Sequence, residues 1–181
     1  VIISDNGLLT SVNLSGLITV SQILGIGNNP GLSTLAIASL TTAGEVHINQ
    51  NGFTSLDLSS LSSLTENFGT SNFNINGNPS LSTLNISGFT DLTNIYAEVH
   101  NSALTDIVWA GSIAQWGSMN LTACALPDTE INEILALAVA SGIGNLGCIY
   151  LDGQIPPAPP TGQGVTDLGF LQGGGACVTT D

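Results

Sequence analysis

Asparagine returns along this chain at nearly constant intervals, and that cadence constrains the fold more than any other feature. Asn6, Asn29, Asn51, Asn78 and Asn101, followed by Cys124, are separated by 23, 22, 27, 23 and 23 residues. A period in that range marks a stacked repeat, because one short supersecondary unit has an apolar side that it cannot bury alone. The 43% of hydrophobic residues in the 181-residue chain supplies the core that such a stack needs.

Each interval carries two short apolar alternations joined at the asparagine. The first is Val1/Ile3, Leu24/Ile26, Val46/Ile48, Phe73/Ile75 and Met119/Leu121, each followed after two intervening residues by the Asn or Cys. The second reads Leu-x-x-Leu-x-Leu-x-x-Leu, as in Leu9, Val12, Leu14 and Leu17 or Leu32, Leu35, Ile37 and Leu40, and it recurs to Leu104, Ile107 and Trp109. Alternation with period two predicts strands with one face inward, so stacked turns build parallel sheets around a single core. The asparagine side chain, stacked on its copies, then supplies partners for backbone groups buried at a tight inward corner, and Cys124 replaces it in the last turn.

These residues carry a resemblance. The Leu-x-Leu-x-x-Asn/Cys core in five of six turns makes residues 1–126 similar to leucine-rich repeat proteins. The segments NNPGLSTLAIASL and NGNPSLSTLNISGF resemble the receptor L domain within that group. The expected fold is mainly β, a parallel β-solenoid of leucine-rich repeat type over residues 1–126 with a small β-α-β cap over residues 127–181. In that cap the sequence predicts a helix over 128–140, with Asp128, Glu130 and Glu133 near its positive end, a strand over 148–151, a helix over 165–171 and a strand over 176–180. The cap, with its QIPPAPPTGQG segment, resembles a C-terminal module of bacterial and phage leucine-rich repeat proteins, which implies an exported or virion-borne protein.

Two positions depart from the pattern. In the turn ending at Asn101 the cadence places Glu98 at an inward position, where an unpaired charge is costly, so a one-residue bulge that hands the core position to Val99 is expected. The long third interval predicts a loop over residues 66–72.

Charge narrows the function. The chain has no Lys or Arg against thirteen Asp and Glu, a formal charge of −13. Without cations it neutralises no phosphates, so nucleic acid and anionic membrane surfaces are excluded as expected partners. The longest apolar run, residues 134–140, is far shorter than the roughly 20 residues a spanning helix needs, so no membrane insertion is expected. The chain starts at Val1, which fits a processed, mature protein.

Catalytic signals are weak. His47 and His100 stand two repeats apart with no Cys or carboxylate at metal-ligand spacing, and His47 points outward between Val46 and Ile48. Gly142, Gly144 and Gly147 spell G-x-G-x-x-G but follow a helix, the reverse of a dinucleotide fingerprint. Asp57, Glu66 and Glu98 are the carboxylates open to a glycosidase role, and Asp128, Glu130 and Glu133 to Ca²⁺, where helix electrostatics already accounts for them. No catalytic residues, cofactor or metal are expected.

Sequons occur at Asn13, Asn85 and Asn120, the first two at the same outward repeat position, as possible glycosylation sites. Cys148 and Cys177 precede core-facing β-branched residues in the last two predicted strands, so they are expected to form a disulfide, with Cys124 free and buried. Two functions fit these features. One is an extracellular structural protein that associates with itself into a fibre or surface layer, using the uncapped first strand at Val1 and Ile3 as an assembly edge. The other is a cell- or virion-surface module that recognises a glycan or protein.

Overall fold

A computed structural model of the chain describes residues 1–65, 72–101, 103–142 and 147–181. The architecture is a parallel β-solenoid. Its main sheet runs in the order β1 (Ile2–Ser4), β3 (Thr19–Asn29), β5 (Thr42–Asn51), β8 (Phe73–Asn74), β10 (Tyr96–Glu98), β12 (Ser118–Asn120), β13 (Ile149–Tyr150) and β14 (Val178–Thr179), with β7 (Ser63–Leu64) paired to β5. The second ladder forms two shorter sheets, β2 (Ser11–Asn13) with β4 (Thr34–Ala36), and β6 (Ser55–Asp57), β9 (Thr83–Asn85) and β11 (Asp106–Val108) in the order β11-β9-β6. All pairings are parallel, and the inward positions fall in register, as in Leu24↔Val46↔Phe73↔Ala97↔Met119↔Ile149↔Val178. The inward leucines, isoleucines and phenylalanines between the sheets form one continuous core.

The recurring x-x spacers are tight turns. The carbonyls of Asn6, Asn29, Asn78 and Asn101 accept from the amides of Leu9, Leu32, Leu81 and Leu104, and Leu14, Ile37 and Leu58 accept from Leu17, Leu40 and Leu61. Each pair brackets a corner, which explains why the sequence repeats Asn-x-x-Leu and Leu-x-x-Leu. Where turns stack most closely only glycine fits: a Cβ at Gly117 would lie 2.0 Å from the Ile95 carbonyl oxygen.

The asparagines form a directional ladder. Asn29 Oδ1 accepts the Asn6 amide at 2.9 Å, Asn78 Oδ1 that of Asn51 at 3.0 Å, and Asn101 Oδ1 that of Asn78 at 2.8 Å. Their Nδ2 groups donate backward: Asn29 to the Ile3 carbonyl, Asn51 to Ile26, Asn78 to Ile48 and Asn101 to Ile75. Asn29, Asn51, Asn78 and Asn101 are at most 1% exposed. Cys124 extends the series as expected, its Sγ donating to the Val99 carbonyl at 3.2 Å.

The period does not stop at Cys124, contrary to expectation. Gln154 is the next rung: it is 2% exposed, and Nε2 donates to Leu121 O while Oε1 accepts the Leu126 amide. Beyond it the Asp181 carboxylate accepts the amides of Gly153, Gln154 and Ala158. Residues 127–181 thus lengthen the main sheet by two strands, with α1 (Asp128–Ala140) and α2 (Gln163–Gly173) as crossovers beside it. The first helix has the expected bounds, the second is longer at both ends than 165–171, and the two strands are shorter than predicted.

Val99 takes the core position at 1% exposure and Glu98 is half-buried toward the outside, but the cause is not the bulge that the cadence suggested. Asp5, Asn28, Gln50, Gly77, Ala123 and Gly153 each precede a rung with φ between 55° and 71°. The turn ending at Asn101 has no such left-handed residue, so its strand sits one residue closer to the corner. The expected loop lies almost wholly outside the described residues, except that Asn72 is buried beside the main sheet.

Replacing Asn78 by Ala orphans the buried Asn51 amide and Ile48 carbonyl. At about 1–3 kcal/mol for each unsatisfied group, Asn78→Ala is expected to lose about 2–5 kcal/mol, against less than about 1 kcal/mol for Asn6→Ala at the open end. Urea unfolding followed by circular dichroism measures both.

Candidate functional site

Alternation in the main sheet sends every second residue to its outer face, and there the register aligns Gly25, His47, Asn74, Glu98, Asn120, Tyr150 and Thr179. Glu45 and Tyr96 share that face one pleat away, and His100 follows Glu98 by two residues. The fold thus gathers both histidines and both tyrosines of the chain along one side of the solenoid. Parallel strands set neighbouring side chains about 4.8 Å apart, a regular array of hydrogen-bonding groups.

At its centre Glu45 Oε2 lies 2.9 Å from His47 Nε2, with the carboxylate side chain 4% and the imidazole 32% exposed. The sequence reading took His47 as an isolated outward histidine, as it is placed, but missed this partner. Positions i and i+2 of a strand share a face, which was the available signal. Asn74 Nδ2 donates to Glu98 Oε2 at 3.3 Å, and the His100 amide donates to Asn76 Oδ1 at 2.8 Å. Asn74 Oδ1 and His100 Nε2 are buried without a partner. The outward neighbours of His47 are Gly25, Asn74, Glu45 and Asn49, none of which carries a hydroxyl or thiol for nucleophilic attack.

The other acidic candidates are dispersed. Asp57 lies on the second ladder and Glu98 on the main sheet, and Asp57 Oδ1 is occupied by the Ser59 amide. Glu66 is outside the described residues, as is Gly144, while Gly142 closes α1 with φ 73°. Asp128 accepts from Thr161, Glu130 turns into the protein and Glu133 is exposed. Among the described residues no group of three His, Cys, Asp or Glu side chains converges as metal ligands do.

Glu130 is the feature that sequence reasoning missed. It is 7% exposed, and its Oε1 accepts from Trp109 Nε1 at 3.0 Å. Burial pushes its carboxyl up to about 7, with hydrogen bonds from Trp109 and Ile107 acting the other way and the charges of Glu133 and Asp106 adding to the rise. The helix N-terminus favours an anion by about 0.3–1 kcal/mol, whereas an uncompensated buried charge costs several, so burial wins. Trp116 packs on Trp109 with ring centroids 5.4 Å apart, and its Nε1 is buried without a partner.

The sequons sit in matching turns. Oδ1 of Asn13, Asn85 and Asn120 accepts the amide two residues on, and in the last two also the Ser87 or Thr122 hydroxyl. Asn13 is exposed and the other two are half-buried. A separate cleft of about 440 Å³ lies beneath the proline segment, lined chiefly by Pro127, Pro156, Pro157, Pro159 and Leu126.

Cys148 and Cys177 are bonded across β13 and β14, with Cα atoms 4.6 Å apart, and Cys124 is free and buried. Burial also pushes the Cys124 thiol up to about 11. Alkylation at pH 8 without reductant is expected to label no cysteine in the folded protein and one after denaturation, as read by intact mass.

No family model, curated protein or solved structure matches the chain. The parallel solenoid therefore rests on the geometry above, independently of any relative.

Proposed function

We propose that this is a non-enzymatic structural protein of leucine-rich repeat type, acting outside the cell or on a virion surface, and that its solenoids associate through their ends. The observation that carries the reading is the apolar surface left on the turn of residues 2–18. Leu24, Ile26, Leu32, Ile37 and Leu40 in the second turn are at most 2% exposed, while Ile3, Leu9, Leu14 and Leu17 in the first are only half-buried. Ile2, Leu8 and Ile18 are 67%, 97% and 62% exposed around them. The outer edge of β1 has no neighbouring strand among the described residues, and Asn6 Oδ1 meets no donor. A turn with this cross-section, its apolar groups and hydrogen-bonding sites unfilled, accepts a further solenoid turn stacked on it, and a second copy supplies one. A second copy docking there by a heterologous contact extends into a filament. The disulfide fits an oxidising compartment, and among the described residues no helix is long and apolar enough to cross a membrane.

Sedimentation velocity across a wide concentration range tests this. The wild-type chain is expected to form species larger than a monomer, and both Ile3→Asp and the fully exposed Leu8→Ser are expected to shift the distribution toward monomer. A wild-type chain that remains monomeric at high concentration rejects end-to-end association.

The outer face of the main sheet favours a second reading, a surface module that recognises a glycan or protein through Glu45, His47, Glu98 and Tyr150. A glycan array probed with the wild-type chain and with His47→Ala distinguishes it: binding that the substitution weakens tenfold or more supports recognition, and no binding to any glycan rejects a glycan ligand.

A further inference from the structure

We propose that Glu130 and the two tryptophans form a proton-controlled latch, which holds the first turn of α1 against the end of the second ladder while the carboxyl is protonated and loosens when the proton leaves. The geometry comes first. Glu130 opens α1 and reaches across to Trp109, which directly follows β11, and to the Ile107 amide within β11, so this one carboxyl joins the helix to the solenoid wall. Trp116 backs Trp109 and closes the site to solvent, being 2% exposed.

Charge balance then decides which form of the carboxyl belongs there. The titratable groups that act on Glu130 are Asp106 from β11 and Glu133 from α1, both acids. The chain has no Lys or Arg, and its two histidines are on the main sheet's outer side. No counter-ion is at hand, so the buried group is held as the neutral acid, and ionisation leaves an uncompensated charge that water stabilises better than the indole pair does.

The sign of the pH effect follows. The folded-state value, about 7, stands above the ordinary 4.5. Stabilisation from the retained proton is therefore complete below about pH 4.5 and is lost as pH rises through about 7, because the unfolded chain releases the proton earlier. Above that pH the carboxylate turns to solvent, the Trp109 indole loses its acceptor and the N-terminal turn of α1 is released.

The chain has only two tryptophans, both in the latch, so tryptophan emission, excited selectively over tyrosine, reads this site alone. Between pH 5.5 and 8.5 the wild-type emission is expected to shift to longer wavelength with a midpoint near 7, and the protection of amides 131–135, taken relative to the base-catalysed intrinsic exchange rate at each pH, to fall over the same interval while that of β5 does not. Glu130→Gln is expected to keep the low-pH spectrum throughout. Asp106→Asn leaves the latch residues intact and is expected to move the midpoint to lower pH. A wild-type spectrum constant over this range overturns the latch. So does a transition that persists in Glu130→Gln, which would assign it to a histidine.

Discussion

Everything in this solenoid depends on how buried backbone groups find partners at its inner corner. The chain turns there too sharply for the sheet ladder to continue, and several amides and carbonyls lose their regular partners. From Asn29 onward each corner side chain bonds back to the turn before it, as when Asn29 Oδ1 accepts the Asn6 amide while its Nδ2 donates to the Ile3 carbonyl, and as when the Cys124 thiol donates to the Val99 carbonyl. A buried polar group left unpaired costs about 1–3 kcal/mol, so this series holds the inner corner together as firmly as the leucines fill the space beside it. Asn and Gln combine a strong donor and a strong acceptor in one planar group, whereas Cys supplies a weak donor and a weak acceptor.

Much of this was legible in the sequence because the interactions recur at one interval. The cadence of asparagines, the turn-forming Leu-x-x-Leu spacers and the paired strand cysteines all express a single translation along the axis. What escaped notice broke the translation. Gln154 keeps the Ile149-x-Leu151-x-x-Gln154 spacing, but the insertion of α1 puts it 30 residues after Cys124, outside the range in which a rung was sought. Val99 was placed correctly for the wrong reason, since the left-handed residue before each corner leaves little compositional trace: Asp, Asn, Gln, Gly and Ala all occupy it. Glu130 was harder still, because a glutamate in the first turn of a helix is already explained locally. Its burial is set by a tryptophan 21 residues away.

The absence of lysine and arginine shapes the molecule inside as well as outside. At the surface it leaves the Asp and Glu side chains without lysine or arginine among them. Inside, it removes the usual means of accommodating a buried carboxylate. Glu45 pairs with a histidine instead and Glu130 with an indole. These are two solutions to one constraint.

The direction of the ladder has a consequence for synthesis. From Asn29 onward every rung bonds backbone groups of the turn that precedes it, so a chain emerging from the ribosome satisfies each corner only when the next turn has been made. At any moment a single incomplete turn lies at the growing end, and everything before it is already sealed. Such a chain can fold vectorially, turn upon turn, and the carboxylate of Asp181 performs for Gly153 and Gln154 the service that each corner performs for its predecessor.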